Sequence, residues 1–104
     1  FNILCGQVGL GGGVKTGRAV YFGGQVGVVD QLSIPDGVKF GGKSAVGLNL
    51  EKLKPGQRYV GYPAQDAKAF FRRYALFRKL PEFYNRLKSL EKKVVQLLDK
   101  RSAI

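Results

Sequence analysis

Residues 4–51 of the 104-residue chain read LCGQVG, LGGGVK, TGRAVY, FGGQVG, VVDQLS, IPDGVK, FGGKSA and VGLNLE, which are eight blocks of six in one register. The first position of a block is aliphatic or aromatic except at Thr16, and the second is mostly glycine. A helix has a period of 3.6 residues and a single strand a period of 2, so neither explains a repeat of six. A hexapeptide repeat is typical of a parallel β-helix.

The repeat predicts the geometry of each block as a short strand followed by a turn. Three blocks then close one three-sided coil of about eighteen residues, so the eight blocks give fewer than three coils. The first-position side chains should point inward and stack on those of the next coil. The second-position glycines should lie at corners, where the backbone approaches closely and positive φ is common. Residues 1–3 fit the end of an earlier hexad, so we expect the chain to be the C-terminal piece of a longer protein.

The charge is concentrated in the second half of the chain. The net charge is +11, and residues 52–104 carry fourteen Lys and Arg against four Asp and Glu. An acidic partner is therefore expected to dock there. No apolar stretch is long enough to cross a membrane. The single cysteine, Cys5, excludes an internal disulfide and suits a reducing compartment; without a histidine to activate it, we interpret it as a small packed residue.

The stretch GLGGGVKT, residues 9–16, is similar to a phosphate-binding loop but departs from its pattern. That loop needs glycine immediately before the Lys-Ser/Thr pair, and here Val14 intervenes. The hexad register already explains the glycines, so we predict no nucleotide site.

Residues 52–65 leave the register, with a turn at Pro55–Gly56 and a last extended segment over 59–64. Asp66 is predicted to cap a helix over about 66–79. A second helix over about 81–101 is predicted from a heptad spacing of apolar residues, which indicates a short coiled coil. The seam consists of Leu80, Phe83, Leu87, Leu90, Val94 and Leu97. We therefore divide the chain into a β-helix with its exit strand, 1–65, and a basic helical part, 66–104, whose last three residues should fray.

The repeat, the GYPA exit at 61–64 and the tail FRKLPEFYNRLKSLEKKV at 77–94 together resemble the hexapeptide acyltransferases, and among these the UDP-3-O-acylglucosamine N-acyltransferases of lipid A biosynthesis. The tail is the more specific part, because hexads alone specify only the fold. The resemblance implies a mainly β fold: a trimeric left-handed parallel β-helix with a C-terminal α-helical extension. Left-handedness rests on the resemblance, since crossovers between parallel strands are normally right-handed.

The resemblance also implies transfer of a 3-hydroxyacyl group from acyl carrier protein to the amine of a UDP-linked glucosamine, without a cofactor or metal. A histidine acts as general base in that family. This chain has no histidine, and Gln31 stands where the family has a second one. We also expect that the uridine-binding domain, through which the family binds its UDP-acylglucosamine substrate, is not part of these 104 residues. We therefore predict no catalytic residue here, and a chain that is inactive alone.

Only binding roles are carried over by the resemblance. Five residues match stretches that line the acyl and pantetheine grooves between neighbouring coils of the trimer: Gly24, Gln31, Gly42, Lys43 and Ala45. Four basic residues match the tail that receives the acidic carrier protein: Arg72, Arg73, Arg78 and Lys79. For the glycines and Lys43, the alternatives are repeat geometry and a solvated surface charge. For the four basic residues, the alternative is a solubilising helix face.

Three other functions remain open from the residues. The missing histidine favours a non-enzymatic trimeric scaffold, and the hexads alone also fit transferases that use a CoA donor. A nucleic-acid binder agrees with the high charge, but the aromatic residues follow core periodicities and no nucleic-acid module matches. We expect a homotrimer, no nucleic acid, no transmembrane segment, and a cytoplasmic location, with the inner membrane surface as an alternative.

Overall fold

A computed structural model describes residues 1–49 and 52–102, which form ten short strands followed by two helices. The strands are β1 (Ile3–Leu4), β2 (Gly9–Leu10), β3 (Lys15–Thr16), β4 (Tyr21–Phe22), β5 (Gly27–Val28), β6 (Ser33–Ile34), β7 (Lys39–Phe40), β8 (Ala45–Val46), β9 (Arg58–Val60) and β10 (Gln65–Asp66). The helices are α1 (Ala67–Arg78) and α2 (Leu80–Ser102). Each repeat strand consists of the sixth position of one hexad and the first position of the next.

Three sheets form the three faces of a coil. The first face contains β1, β4, β7, β9 and β10, the second contains β2, β5 and β8, and the third contains β3 and β6. Repeat strands pair in parallel with a partner eighteen residues later, as Leu4 with Phe22 and Leu10 with Val28. The predicted parallel β-helix with a helical extension is thereby confirmed, and the architecture is consistent with a left-handed coil.

Turns of four residues join the faces at three corners. The first corner, between the first and second faces, contains residues 5–8, 23–26 and 41–44. The second corner, between the second and third faces, contains residues 11–14 and 29–32. The third corner, which leads back to the first face, contains residues 17–20 and 35–38.

The core is built from the first and fifth hexad positions, which point inward on either side of an outward sixth position, as the alternation of a strand requires. First-position residues from Phe22 onward are buried, as are the fifth-position valines Val20, Val26 and Val38. Leu4 and Leu10 belong to the first coil, which is covered on one side only, and are 50% and 43% exposed. The inward stacking is therefore confirmed for the covered coils.

An aromatic column runs through the core beneath the first face. The rings of Phe22 and Phe40 have centroids 5.5 Å apart, and those of Phe40 and Tyr59 are 6.2 Å apart. Ser44 replaces an aliphatic residue at the fifth position and is buried. Its hydroxyl donates to the carbonyl of Gly41 at 2.6 Å and accepts from the amide of Gly61 at 3.2 Å, so its burial leaves no unpaired polar group.

Positive φ recurs at the fourth hexad position rather than at the second. All seven fourth positions from residue 7 to residue 43 have φ between 55° and 74°: Gln7, Gly13, Ala19, Gln25, Gln31, Gly37 and Lys43. The prediction that the second-position glycines supply this conformation is wrong, except at Gly47, whose φ is 93°. The second position instead needs glycine for close approach, because a Cβ at Gly23 would lie 2.7 Å from the amide nitrogen of Gly42.

Side chains at the third position bond to the coil before them. Asp30 Oδ1 accepts from the amide of Gly12 at 3.2 Å, and Asp36 Oδ1 accepts from the amide of Arg18 at 2.7 Å. These contacts satisfy turn amides that have no partner in the strand ladders. Both carboxylates are thus engaged in holding corners together.

The regular strand pairing of the coil ends where the chain leaves the hexapeptide repeat. Phe40 pairs with Tyr59, nineteen residues later rather than eighteen, and β10 then folds back antiparallel against β9, which the sequence did not predict. Asp66 Oδ2 accepts from the amide of Ala69 at 3.2 Å, so the predicted helix cap is present. Leu50 and Glu51, the last two positions of the eighth hexad, lie outside the described residues.

The chain divides into two compact units, residues 1–71 and residues 72–104. The second unit contains the end of α1 and all of α2, and none of the residues of α2 is buried. The predicted fraying of the tail concerns mainly Ala103 and Ile104, which lie outside the described residues. No helix in the described part of the chain combines the length and the apolar character needed to cross a membrane.

Candidate functional site

A groove runs along the first corner, where three successive turns are stacked. It has a volume of about 600 Å³ and is lined by Gly6, Gln7, Gly24, Gln25, Gly42 and Lys43. The amide of Gln25 donates to the carbonyl of Gly6, and the amide of Lys43 donates to the carbonyl of Gly24, each at 2.8 Å. These two bonds hold the turns one above the other, so three of the five residues predicted to line the acyl grooves come together here.

Gln7 and Gln25 are site residues that the sequence analysis missed. Gln25 Nε2 donates to Gln7 Oε1 at 2.6 Å, which places an amide ladder below Lys43 in the same groove. The signal was available in the repeat, because the three residues are spaced by eighteen and all occupy the fourth position. All three residues have positive φ and exposed side chains.

A second, apolar groove of about 410 Å³ follows the second face. Its floor is formed by the outward positions of β2, β5 and β8, which are Gly9, Gly27 and Ala45, and Leu48 and Tyr62 border it. Small residues at all three outward positions leave the strand backbones accessible. Ala45 directly follows the turn of Lys43, so the polar corner and the apolar face adjoin.

Gln31 lies apart from the other four candidates, at the second corner. Its amide donates to the carbonyl of Gly12 at 2.8 Å, and its side-chain amide lies over Gly13, where a Cβ would collide with it. It therefore occupies the opposite edge of the second face from Lys43. Gln31 can donate and accept hydrogen bonds there, but it cannot take up a proton near neutral pH.

The described residues of the coil offer no general base at these grooves. The chain has no histidine, and Asp30 and Asp36 are bonded to turn amides. The thiol of Cys5 donates to the hydroxyl of Tyr21 at 3.5 Å. The pKa of Tyr21 is raised above its ordinary value of 10.0, first by hydrogen bonding with Cys5, then by the charge of Cys5 and by desolvation, because a phenol that donates to a negatively charged sulfur holds its proton more tightly. The arrangement can therefore bind and orient a ligand without itself abstracting a proton.

The four predicted carrier-protein residues are exposed: Arg72 and Arg73 lie in the middle of α1, Arg78 is its last residue, and Lys79 follows it. Arg72 and Arg73 are consecutive, and at about 100° per residue they point in directions about 100° apart. Arg78 closes the helix, where a cation also interacts favourably with the helix dipole. The helix geometry thus distributes these charges around α1 instead of lining them up on one face.

Comparison with known proteins identifies relatives of one kind. The chain is 37% identical over 95 residues to the UDP-3-O-acylglucosamine N-acyltransferase of Methylococcus capsulatus, covering 91% of this chain and 26% of that protein. It is 37% identical over 79 residues to the enzyme of the same name from Helicobacter hepaticus, covering 76% of this chain and 23% of that protein. A protein of Arabidopsis thaliana described as a probable mitochondrial form is 40% identical over 62 residues, covering 60% of this chain and 19% of that protein.

No protein-family profile matches the chain, and no solved structure is significantly similar to it. The chain spans about a quarter of the length of the two bacterial relatives. Its own repeat, GYPA exit and basic tail had already indicated the same kind of protein. The predicted resemblance is confirmed, and the chain is a relative of one segment of the UDP-3-O-acylglucosamine N-acyltransferases, proteins named for N-acyl transfer.

Proposed function

We propose that the chain supplies the donor-binding coils of an N-acyltransferase of lipid A biosynthesis that moves a 3-hydroxyacyl group from acyl carrier protein to UDP-3-O-acylglucosamine. The observation that carries the proposal is the continuity of a polar corner, containing Lys43, with an apolar face whose outward residues are small. An acyl donor combines a polar pantetheine arm with an apolar chain, and these two surfaces match its two parts. The names of the relatives supply the reaction class.

Each candidate residue has a separate role in this proposal. Gly24 and Gly42 keep the corner open, because a Cβ at either would meet only a backbone oxygen at 3.5 Å or beyond and would project into the groove. Lys43 and the glutamine amides offer hydrogen bonds to the pantetheine arm. Ala45 forms part of the floor for the acyl chain, and Gln31 marks the far edge of that floor.

Association into a homotrimer completes these grooves in the proposal. Both are open surfaces on the single chain, and a ligand pocket normally buries most of its ligand. A neighbouring coil against the second face would supply the missing wall. The exposed apolar seam of α2 offers a second place for the copies to associate.

An acidic acyl carrier protein is the proposed partner of the helical part, through Arg72, Arg73, Arg78 and Lys79. Residues 52–104 carry most of the positive charge of the chain. Arginines form charge-assisted hydrogen bonds to carboxylates and phosphates, and complementary charge accelerates encounter. The distribution of these residues around α1 suits contact with a partner that approaches from more than one side.

Two measurements on the 104-residue chain test the proposal. The chain should bind 3-hydroxyacyl carrier protein but return the uncatalysed rate of acyl transfer, because it offers no histidine as base. Ala45→Phe should fill the apolar floor and weaken acyl-donor binding about tenfold or more, since the acyl chain loses its contact area. Ser33→Phe, at the equivalent outward position of the third face, is the matched control and should leave binding unchanged. Equal effects of the two substitutions would contradict the groove assignment.

A non-enzymatic trimeric scaffold is the second candidate, favoured by the absence of histidine. A scaffold has no need for an acyl-donor groove. Donor binding that is insensitive to Ala45→Phe, or no donor binding by a well-formed trimer, would favour it. Transfer from an acyl-CoA donor would instead point to another hexapeptide acyltransferase.

A further inference from the structure

Three polar side chains stand in a column on the outward side of the first face. Tyr21 on β4 pairs in register with Lys39 on β7, and Lys39 pairs in register with Arg58 on β9. Strands in a sheet are about 4.8 Å apart, so neighbouring side chains of the column start within contact distance. They line a cavity of about 210 Å³ together with Phe40 and Gly41.

Lys39 and Arg58 are like charges placed directly beside each other. Such a pair is unfavourable unless an anion lies between the two groups. Within residues 1–49 and 52–102, neither side chain makes an ion pair with an acidic residue. Asp66 lines an adjoining cavity with Arg58, but its oxygens accept from Gln57 Nε2 at 2.9 Å and from the amide of Ala69 at 3.2 Å.

Tyr21 adds a hydrogen-bond donor to the two cations. The thiol of Cys5 donates to the Tyr21 oxygen at 3.5 Å, which leaves the phenolic proton available to another acceptor. A tyrosine phenol, with an ordinary pKa of 10.0, carries its proton at neutral pH. The cavity therefore offers a guanidinium fork, an ammonium group and a phenol, and a dianion would satisfy all three.

We propose that the first face carries a phosphate-binding site formed by Tyr21, Lys39 and Arg58, which takes the phosphate group of a small phosphomonoester. The planar fork of Arg58 matches two phosphate oxygens, and Lys39 neutralises the second charge. The site lies on a different face from the apolar groove and shares no residue with the five acyl-site candidates. The proposed phosphate site can therefore be confirmed or refuted independently of the proposed acyl-transfer function.

Thermal unfolding of the 104-residue chain, titrated with inorganic phosphate and then with glycerol 3-phosphate at constant ionic strength, tests the proposal. A bound anion stabilises the folded state by mass action, so the midpoint of the wild-type chain should rise over the range up to about 10 mM ligand. Lys39→Gln and Arg58→Gln should each weaken the affinity about tenfold or more. Arg58→Lys should keep the charge, lose the fork and give an intermediate affinity.

Lys15→Gln is the matched control, because Lys15 is an exposed lysine at the same hexad position on the third face, beside Ser33 rather than beside a cation. It should respond to phosphate as the wild type does. In phosphate-free buffer, Lys39→Gln should unfold at the same temperature as the wild type or higher, since it removes repulsion from Arg58. This second measurement separates lost binding from lost folding.

Amide chemical shifts locate the bound anion. Phosphate should shift the resonances of Tyr21, Lys39 and Arg58 and leave those of Lys15 and Ser33 in place. The proposal is overturned if the wild-type midpoint does not respond, if Lys15→Gln loses the response as fully as Arg58→Gln, or if the shifts lie elsewhere. Vesicles containing phosphatidic acid, compared with phosphatidylcholine, distinguish a lipid headgroup from a soluble ester as the source of the phosphate.

Discussion

Ala19 has a φ of 55°, a left-handed conformation in which its Cβ approaches the following carbonyl oxygen. Glycine relieves that contact but loses more chain entropy on folding. The steric cost is the larger of the two, so Ala19→Gly should raise the free energy of unfolding by about 0.5 kcal/mol. Urea denaturation of the two proteins measures the difference.

Gly37 is the natural control, because it occupies the same corner one coil later, with a φ of 71°. A Cβ there would have its nearest neighbour, the Cα of Gly56, at 3.4 Å, so space is available and only the backbone conformation opposes it. Gly37→Ala should therefore lower the free energy of unfolding by about 1 kcal/mol. Two substitutions of the same sign would show that conformation at this corner does not govern stability.

At the second hexad position, glycine is needed because a Cβ would collide with neighbouring atoms, and not because of the backbone φ. A Cβ at Gly23 would lie 2.7 Å from the nitrogen of Gly42 and 2.9 Å from the carbonyl oxygen of Phe40, both backbone atoms that cannot move alone. Gly23→Ala should cost about 3 kcal/mol of stability. Gly27→Ala, also in the second coil, meets nothing within 4 Å and should be neutral or slightly stabilising. Chemical denaturation of both variants makes the comparison, and equal losses would contradict it.

Individual residues also show which features of the fold and of the candidate site could be predicted from the sequence. Inward positions such as Phe22 and Phe40 could be predicted from the sequence, because buried positions require apolar residues and these recur every six residues. The positive φ of the fourth hexad position could not be predicted, because Gln, Ala, Lys and Gly all adopt it and these residue types have no property in common that indicates it. The ladder of Gln7, Gln25 and Lys43 could have been inferred from their spacing of eighteen at the fourth position, but only Lys43 was indicated, by the match to known motifs.

At the scale of elements, strands and helices differ in how much the sequence determines. Each repeat strand is set by its hexad, whereas β10 depends on a fold-back after β9 that no local pattern encodes. The heptad spacing correctly predicted a long helix, and α2 covers Leu80–Ser102. Periodicity identifies which face is apolar but cannot name what covers it, since the covering surface belongs to another element or another chain.

The seam of α2 leads to a prediction about association. Leu90 lies in the apolar seam and is 58% exposed on the single chain. If copies associate through this seam, Leu90→Asn should bury an amide without a matching partner and weaken the association about tenfold or more. Lys92→Asn, on the opposite side of the heptad, should leave it unchanged. Sedimentation equilibrium over a range of concentrations measures both, and association that is insensitive to Leu90→Asn would place the contact elsewhere.

For the whole molecule, the uneven charge matters more than the total. Residues 1–51 carry four basic and three acidic residues, so nearly all the excess positive charge belongs to the second half of the chain. A field of this kind attracts an acidic protein and weakens with added salt. The repeat contributes shape to recognition, and the helical part contributes charge.

Charge reversal at matched positions separates these contributions. Arg72→Glu with Arg78→Glu changes the net charge by the same amount as Lys15→Glu with Arg18→Glu, but the first pair lies on α1 and the second in the coil. If the helical part receives the acyl carrier protein, the first pair should weaken binding about tenfold or more and flatten its dependence on salt. The second pair should reduce the association rate slightly, because only the long-range field changes. Calorimetric titrations at two salt concentrations compare the pairs, and equal losses would mean that net charge, rather than a docking surface on α1, attracts the partner.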